Sequence, residues 1–195
     1  DLFVSSRDGK NVTAVLRNPD RHEQMPAWSP DGKWIAYEEN CALAAVRPDG
    51  TSRKILVPCR DIACAHFGIA WSPDSQRIAW IGGTCSTDKP GIADRVWAIN
   101  GDGTGARMIF QSRDPLFTHG MIAWSPDGKS VAAMLDNKVS YLINTNCASG
   151  PNGCDESSRT KLDAFPDHWL HTYYPQWAGE TGQTTIAPSA MASQA

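Results

Sequence analysis

A ten-residue phrase occurs three times in this chain of 195 residues, and it constrains the fold more than any other feature. WSPDGKWIAY begins at Trp28, WSPDSQRIAW at Trp71 and WSPDGKSVAA at Trp124. These tryptophans are 43 and 53 residues apart, and a further 53 residues lead to Trp177. A repeat of about 40–50 residues that contains several short strands is typical of a β-propeller blade, which has four strands.

Each copy of the phrase predicts a hairpin. Its Ser-Pro-Asp segment lies between two apolar runs; proline presets φ in the turn, and the aspartate hydrogen-bonds the backbone that follows. We call these two strands A and B. Two more apolar runs with their own turn follow every copy and predict strands C and D. The tryptophan of each copy lies on strand A, where we expect it to pack between blades.

The two ends of the chain carry complementary halves of this unit. DLFVSSRDGKNVTAVLRN at the start predicts a C–D hairpin, and YPQWAGETGQTTIAP near the end predicts an A–B hairpin. The sequence therefore predicts an all-β fold, a β-propeller with four blades of four antiparallel strands. In its last blade the N-terminal C–D strands complete the C-terminal A–B strands, so that no sheet edge is exposed. The predicted bounds are one domain over 1–187, blades over about 26–58, 69–112, 122–166 and 173–187 plus 1–18, and a tail or linker over 188–195.

The repeated phrases resemble those of the TolB-type propellers, a WD-like repeat family that carries PxWSPDGxxIAY followed by DLFVxxxDGxNVTxLT. The resemblance covers essentially residues 1–187. Members of this family usually have six or more blades, whereas this chain supplies four. Three arrangements therefore stay open: a four-bladed ring, a segment of a larger propeller, and a protomer that exchanges terminal strands with a second copy. The resemblance implies protein partners more than small molecules.

Six cysteines indicate the compartment: Cys41, Cys59, Cys64, Cys85, Cys147 and Cys154. None of them has the spacing of a zinc site or a haem attachment. An even number of loop cysteines predicts disulfides, and therefore a periplasmic or extracellular location.

The spacing of the cysteines also suggests a pairing. Two pairs are five and seven residues apart within single loops, where a local bridge fits. The remaining two cysteines occupy matching positions, 13 and 14 residues after the tryptophans of neighbouring blades, where a bridge would join the blades. The predicted disulfides are Cys59–Cys64, Cys147–Cys154 and Cys41–Cys85.

Four of the five histidines share one position in the repeat, five or six residues before a tryptophan. They are His22, His66, His119 and His171. Equivalent positions of a propeller surround its axis, so these imidazoles could converge at the channel and bind a divalent transition metal. The sugar-acid lyases of the resembling family hold a metal in this way. However, no lysine or arginine recurs beside these histidines to act as a base or substrate clamp.

Composition and motifs exclude several classes of function. The net charge is −3 without a basic block, which argues against nucleic-acid binding. No apolar run approaches the ~20 residues that a transmembrane helix needs. The GxSxG motif of serine hydrolases is absent from the sequence. We therefore predict no catalytic residue and no required cofactor. Asn11 begins an NVT sequon for N-glycosylation in a turn.

The sequence thus predicts a non-catalytic, periplasmic or extracellular β-propeller that acts as a protein-binding or self-assembling scaffold. Two alternatives stay open. One is a metal-dependent propeller enzyme, such as a polysaccharide lyase, that uses the ring of histidines. The other is a gate or accessory domain of a larger peptidase-like protein.

Overall fold

A computed structural model describes residues 1–59, 64–83, 95–111, 121–134, 140–147 and 159–162. These residues form fourteen strands and no helix, so none of them belongs to a helix that could cross a membrane. The strands are β1 (Leu2–Ser5), β2 (Val12–Leu16), β3 (Glu23–Trp28), β4 (Ile35–Glu39), β5 (Ala42–Val46), β6 (Lys54–Val57), β7 (Cys64–Trp71), β8 (Arg77–Gly83), β9 (Arg95–Asn100), β10 (Arg107–Gln111), β11 (Met121–Trp124), β12 (Ser130–Met134), β13 (Ser140–Asn144) and β14 (Arg159–Leu162).

The strands form one hairpin and three antiparallel sheets of four strands, each connected in chain order. We call β1–β2 the N-terminal hairpin, β3–β6 blade 1, β7–β10 blade 2 and β11–β14 blade 3. This arrangement confirms the predicted all-β, propeller-type class. The predicted fourth blade depends on residues 173–187, which lie outside the described residues, so the blade count stays a prediction.

The repeated Ser-Pro-Asp turn is closed by one hydroxyl and one carboxylate. In blade 1 the hydroxyl of Ser29 donates to Asp31 Oδ1 at 2.7 Å and accepts the amide of Trp34 at 2.9 Å. Asp31 also accepts the amide of Lys33 at 3.1 Å. Blades 2 and 3 repeat these bonds. The serine hydroxyl, and next the backbone amide, hold the pKa of the aspartate below its usual value in all three turns, because both hydrogen bonds favour the carboxylate.

The two sides of each sheet pack against different neighbours, because successive residues of a strand point to opposite sides. Ile35 and Tyr37 of β4 pack against the N-terminal hairpin, whereas Ala36 between them packs against blade 2. Similarly, Ile78 of β8 packs against blade 1 and Ala79 packs against blade 3. Three hydrophobic clusters therefore join the hairpin to blade 1, blade 1 to blade 2, and blade 2 to blade 3.

The C–D turns add a second kind of contact between neighbours. Gly50, in the C–D turn of blade 1, has a φ of +83° and lies against the N-terminal hairpin. A Cβ at this position would be 2.6 Å from the carbonyl oxygen of Val15, well inside van der Waals contact. At the boundary with blade 2, Lys54 at the start of strand D of blade 1 donates to the carbonyl of Gly101 at 2.7 Å, in the C–D turn of blade 2.

Replacing Gly50 tests the contact between the hairpin and blade 1. Gly32 is a matched control, because its φ of +71° is similar but a Cβ there would meet no atom within 4 Å. We expect Gly32→Ala to lower the free energy of unfolding by about 1 kcal/mol, the cost of a left-handed alanine. Gly50→Ala should cost about 2–4 kcal/mol, since overpacking adds to that strain. Denaturant unfolding gives both values, and equal costs would contradict the packing of the hairpin on blade 1.

Candidate functional site

The B–C turn of blade 1 has an unusual backbone. Asn40 and Cys41 form a two-residue connection between β4 and β5, with φ of +46° and +63°. Positive φ at both central residues is the geometry of a tight type I′ hairpin. Asparagine tolerates this region, but a cysteine there is strained unless something holds it. The disulfide at Cys41 is the constraint that holds it.

Cys41 is bonded to Cys59 in the structure, with 5.1 Å between their Cα atoms. The predicted Cys41–Cys85 and Cys59–Cys64 pairs are therefore wrong. The physical reason is the antiparallel register between β5 and β6, in which Leu43 pairs with Val57. Cys41 lies two residues before Leu43 and Cys59 two residues after Val57, so this register places the two cysteines opposite one another. Spacing along the chain could not show this, although the antiparallel C–D pattern of blade 1 contained the signal.

The structure tests only part of the predictions for the other cysteines. Cys147 is disulfide-bonded, as expected. Its predicted partner, Cys154, lies outside the described residues, so the pair Cys147–Cys154 stays a prediction. Cys85 also lies outside them, and the structure gives only the backbone of Cys64.

His22 lies beside this turn and is held by its backbone. Its amide donates to Asn40 Oδ1 at 2.9 Å, and its carbonyl accepts the amide of Asn40 at 3.0 Å. The His22 side chain is exposed, and only the backbone of His66, in β7, is described. His119 and His171 lie outside the described residues. Within the described part of the chain no three metal-binding side chains lie together, so the histidine metal site stays a prediction.

A buried ion pair lies on the side of blade 1 that faces the N-terminal hairpin. Glu39 is only 6% exposed and accepts the Nε of Arg53 at 2.8 Å and the hydroxyl of Tyr37 at 3.1 Å. A second nitrogen of Arg53 also donates to Glu39, and Arg21 lies 3.7 Å from it. This cluster was not predicted from the sequence, although the two glutamates that end the apolar run IAYEE indicated a charged group next to the core.

The electrostatics of this cluster favour structure over catalysis. Burial acts to raise the pKa of Glu39, but the hydrogen bonds from Arg53 and Tyr37 outweigh it, so the pKa lies below its ordinary value. Burial, and then the charge of Glu39, raise the pKa of Tyr37. Glu39 thus stays ionised and Tyr37 protonated at neutral pH, and neither is poised to exchange a proton with a substrate.

The three repeated tryptophans differ in their surroundings. Trp71 and Trp124 are 7% and 5% exposed, and each indole donates to the backbone of the preceding blade. Trp71 Nε1 bonds the carbonyl of Ala27 at 3.1 Å, and Trp124 Nε1 bonds that of Ala70 at 3.0 Å. Trp28, by contrast, is 52% exposed. The expected packing between blades is confirmed for Trp71 and Trp124 but is wrong for Trp28, because the described residues place no strand A before β3.

Three other large apolar side chains are exposed on β3 and on the N-terminal hairpin. Met25, on the same strand, is 45% exposed and has a φ of +52° at a β-bulge. Phe3 and Val12 are also exposed, on the side of the N-terminal hairpin opposite to its packing against blade 1. We call these four residues, Phe3, Val12, Met25 and Trp28, the open side. The fifth large apolar side chain exposed among the described residues is Ile55 on β6, the strand of blade 1 farthest from β3.

Asn11 lies next to the open side. Its amide donates to the hydroxyl of Ser6 at 3.0 Å, and its carbonyl accepts the amide of Ser6 at 2.9 Å. The residue is exposed, as a glycosylation site requires, and its modification stays a prediction.

Comparison with solved structures supports a β-propeller fold. A nidogen/laminin complex has a TM-score of 0.61 at 17% identity, covering 83% of this chain and 56% of that chain. TolB from Acinetobacter baumannii gives 0.53 at 16% identity, over 74% of this chain and 35% of that chain. A protein described as a TolB from Agrobacterium tumefaciens gives 0.52 at 21% identity, over 78% and 49%.

The chain therefore spans between about a third and somewhat over half of the length of these chains. No protein-family model and no curated protein matches it. At identities this low the similarity concerns the fold.

Removing Arg53 tests the buried ion pair. We expect Arg53→Met to lower the free energy of unfolding by about 3 kcal/mol, because Glu39 then stays buried without its main counter-charge. Adding Glu39→Gln should recover most of that loss. Arg47→Met is the matched control: Arg47 is exposed and lies 5.4 Å from the ring of Trp34, a contact that contributes about 0.5–1 kcal/mol. Denaturant titration compares the variants, and equal losses in the two arginine variants would contradict the assignment.

The disulfide is tested by peptide mapping without reductant, which should yield linked peptides that contain Cys41 and Cys59. The bridge closes a loop with a sequence separation of 18, so replacing both cysteines by serine should cost about 3 kcal/mol. A peptide that links Cys41 to Cys85 would instead restore the pairing between blades.

Proposed function

We propose that this chain is a non-catalytic, extracytoplasmic β-propeller scaffold that binds protein, including further copies of itself, through the open side. The observation that carries the proposal is the contrast between Trp28 and its two equivalents. Trp71 and Trp124 are covered by a preceding strand A, whereas Trp28 presents half of its surface to solvent. A large exposed indole, together with exposed apolar side chains on the same strand and on the preceding hairpin, is typical of an interaction surface.

Three observations support the individual parts of this proposal. The Cys41–Cys59 disulfide favours an oxidising compartment. The buried charges at Glu39 neutralise one another, which favours a structural role over acid–base chemistry. One of the similar structures is that of nidogen with laminin, a protein complex, which supports protein binding as a use of this fold.

The backbone of the N-terminal hairpin adds a second reason for association. Among the described residues this sheet has two strands, whereas each of the three blades has four. The edge of β1 therefore presents backbone groups to which a further strand can bond. Exposed apolar side chains and an exposed strand edge fit a protein segment better than a small polar ligand.

Replacing Trp28 tests the proposed surface. Light scattering on a sizing column, without reductant and over a range of concentrations, should show that the native chain associates. Trp28→Ala should weaken this association at least tenfold, since a central exposed tryptophan commonly contributes 2 kcal/mol or more to binding. Ile55→Ala is the matched control, because Ile55 is 41% exposed but lies on β6, the strand of blade 1 farthest from β3. A native chain that stays monomeric throughout, or equal behaviour of the two variants, would show the proposal to be wrong.

A further inference from the structure

The first part of β3 is attached to blade 1 separately from the rest of the strand. β3 pairs with β4 at residues 23–24 and again at residues 27–28, and a β-bulge interrupts the pairing between them. Met25, inside this bulge, has a φ of +52°, and Pro26 after it has no amide to donate. Residues 22–25 can therefore leave β4 without breaking the pairs of the second part of the strand.

The turn of Asn40 and Cys41 supplies further bonds to this segment. The amide of His22 donates to Asn40 Oδ1 at 2.9 Å, and the amide of Asn40 donates to the carbonyl of His22 at 3.0 Å. Both bonds involve one residue of a tight turn whose φ values are positive, so they depend on the conformation of that turn. A turn that returns to ordinary φ values moves Asn40 relative to His22 and weakens both bonds.

The disulfide keeps the turn in this conformation. A type I′ turn needs positive φ at both central residues, and glycine is the usual second residue because a side chain makes this conformation costly. Here the second residue is Cys41, with a φ of +63°, and its bridge to Cys59 ties it to the end of strand D. Once the bridge is broken, the cost of positive φ favours a return of Cys41 to ordinary backbone values.

We propose that the Cys41–Cys59 disulfide is a redox-sensitive switch, which holds residues 22–25 on blade 1 when it is oxidised and releases them when it is reduced. Both cysteines are partly exposed, so a small dithiol can reach the bridge. One thiolate of the dithiol attacks a sulfur of the bridge, the S–S bond breaks and a mixed disulfide forms. The second thiol of the dithiol then displaces the protein sulfur, which leaves two cysteine thiols and an oxidised dithiol.

The released segment includes Met25, which belongs to the open side. Reduction therefore changes the surface through which the proposed function operates, and this consequence alone rests on that function. An ordered segment that becomes loose must be ordered again on binding, so we expect reduction to weaken association. The switch itself is measured on the bridge and on the backbone, independently of any association.

Reduction in glutathione buffers, followed by alkylation and peptide mapping, tests whether the bridge is labile. The disulfide at Cys147 is the internal control, because Cys147 is also partly exposed but its φ is not positive. We expect the Cys41–Cys59 bridge to be half reduced at a glutathione excess roughly tenfold lower than the bridge at Cys147. Reduction of both bridges at the same excess, or of the Cys147 bridge first, would overturn the inference.

Two double variants distinguish the conformation of the turn from the loss of the cross-link. Cys41→Ser with Cys59→Ser lacks the bridge and keeps the cost of positive φ, whereas Cys41→Gly with Cys59→Ser lacks the bridge and removes that cost. In hydrogen exchange, the amides of residues 22–25 should exchange about tenfold faster or more in the serine variant and in the reduced native chain than in the oxidised native chain. The glycine variant should resemble the oxidised native chain, and strand β8 serves as the internal reference.

Two exchange results would also overturn the inference. Equal exchange in the serine and glycine variants would show that the turn does not transmit the state of the bridge. Unchanged exchange in the reduced native chain, a comparison that needs no substitution, would show that the bridge does not hold the segment.

Light scattering of the oxidised and reduced native chain then tests the consequence for association. The glycine variant with the same reductant controls for the bridge at Cys147. Equal association of the native chain in both states would show that the switch does not act on the open side. A chain that stays monomeric in both states contradicts the proposed function, whereas the exchange result, and with it the switch, is unaffected.

Discussion

Burial of one sheet against the next is the interaction on which the rest of this structure depends. Each strand in a blade alternates between two neighbours, so that Ala36 faces one cluster while Ile35 and Tyr37 face another. A four-stranded sheet of this kind exposes two apolar sides when it stands alone, and stacking is what removes them from water. The stability of every blade is therefore shared with its neighbours, and the end of the series is the place where burial is incomplete.

Polar contacts determine how the sheets are arranged relative to one another. The indoles of Trp71 and Trp124 reach the backbone of strand A of the preceding blade. Lys54 bonds the C–D turn of blade 2. Across the next boundary, Arg77 donates to the carbonyl of Gly128 at 2.6 Å, in the A–B turn of blade 3. Apolar packing is non-directional, so these directional bonds are what fix the position of one sheet on another.

The open side follows from these same rules. Trp28 has the sequence context of Trp71 and Trp124 and a different environment, because what covers a tryptophan in this fold belongs to the blade before it. Among the described residues, the sheet that precedes blade 1 consists of the hairpin alone, and Trp28 is exposed. An exposed apolar surface thus arises here from an ordinary packing residue, without any specialised motif.

The sequence alone determined the strand order, the turns and the propeller-type class, because these depend on local chemistry that recurs in each copy. Serine and aspartate close the turn wherever they occur in this phrase, and alternation assigns each residue to a side of its sheet. The sequence also supported disulfides, but it gave the wrong partner for Cys41. That pairing depends on the register between β5 and β6, which places Cys41 opposite Cys59. Likewise, only the tertiary structure could distinguish the exposed Trp28 from its buried equivalents and bring Arg53 to Glu39. Burial and ion pairing depend on which residues lie nearby in space, and the repeated phrase by itself does not show this.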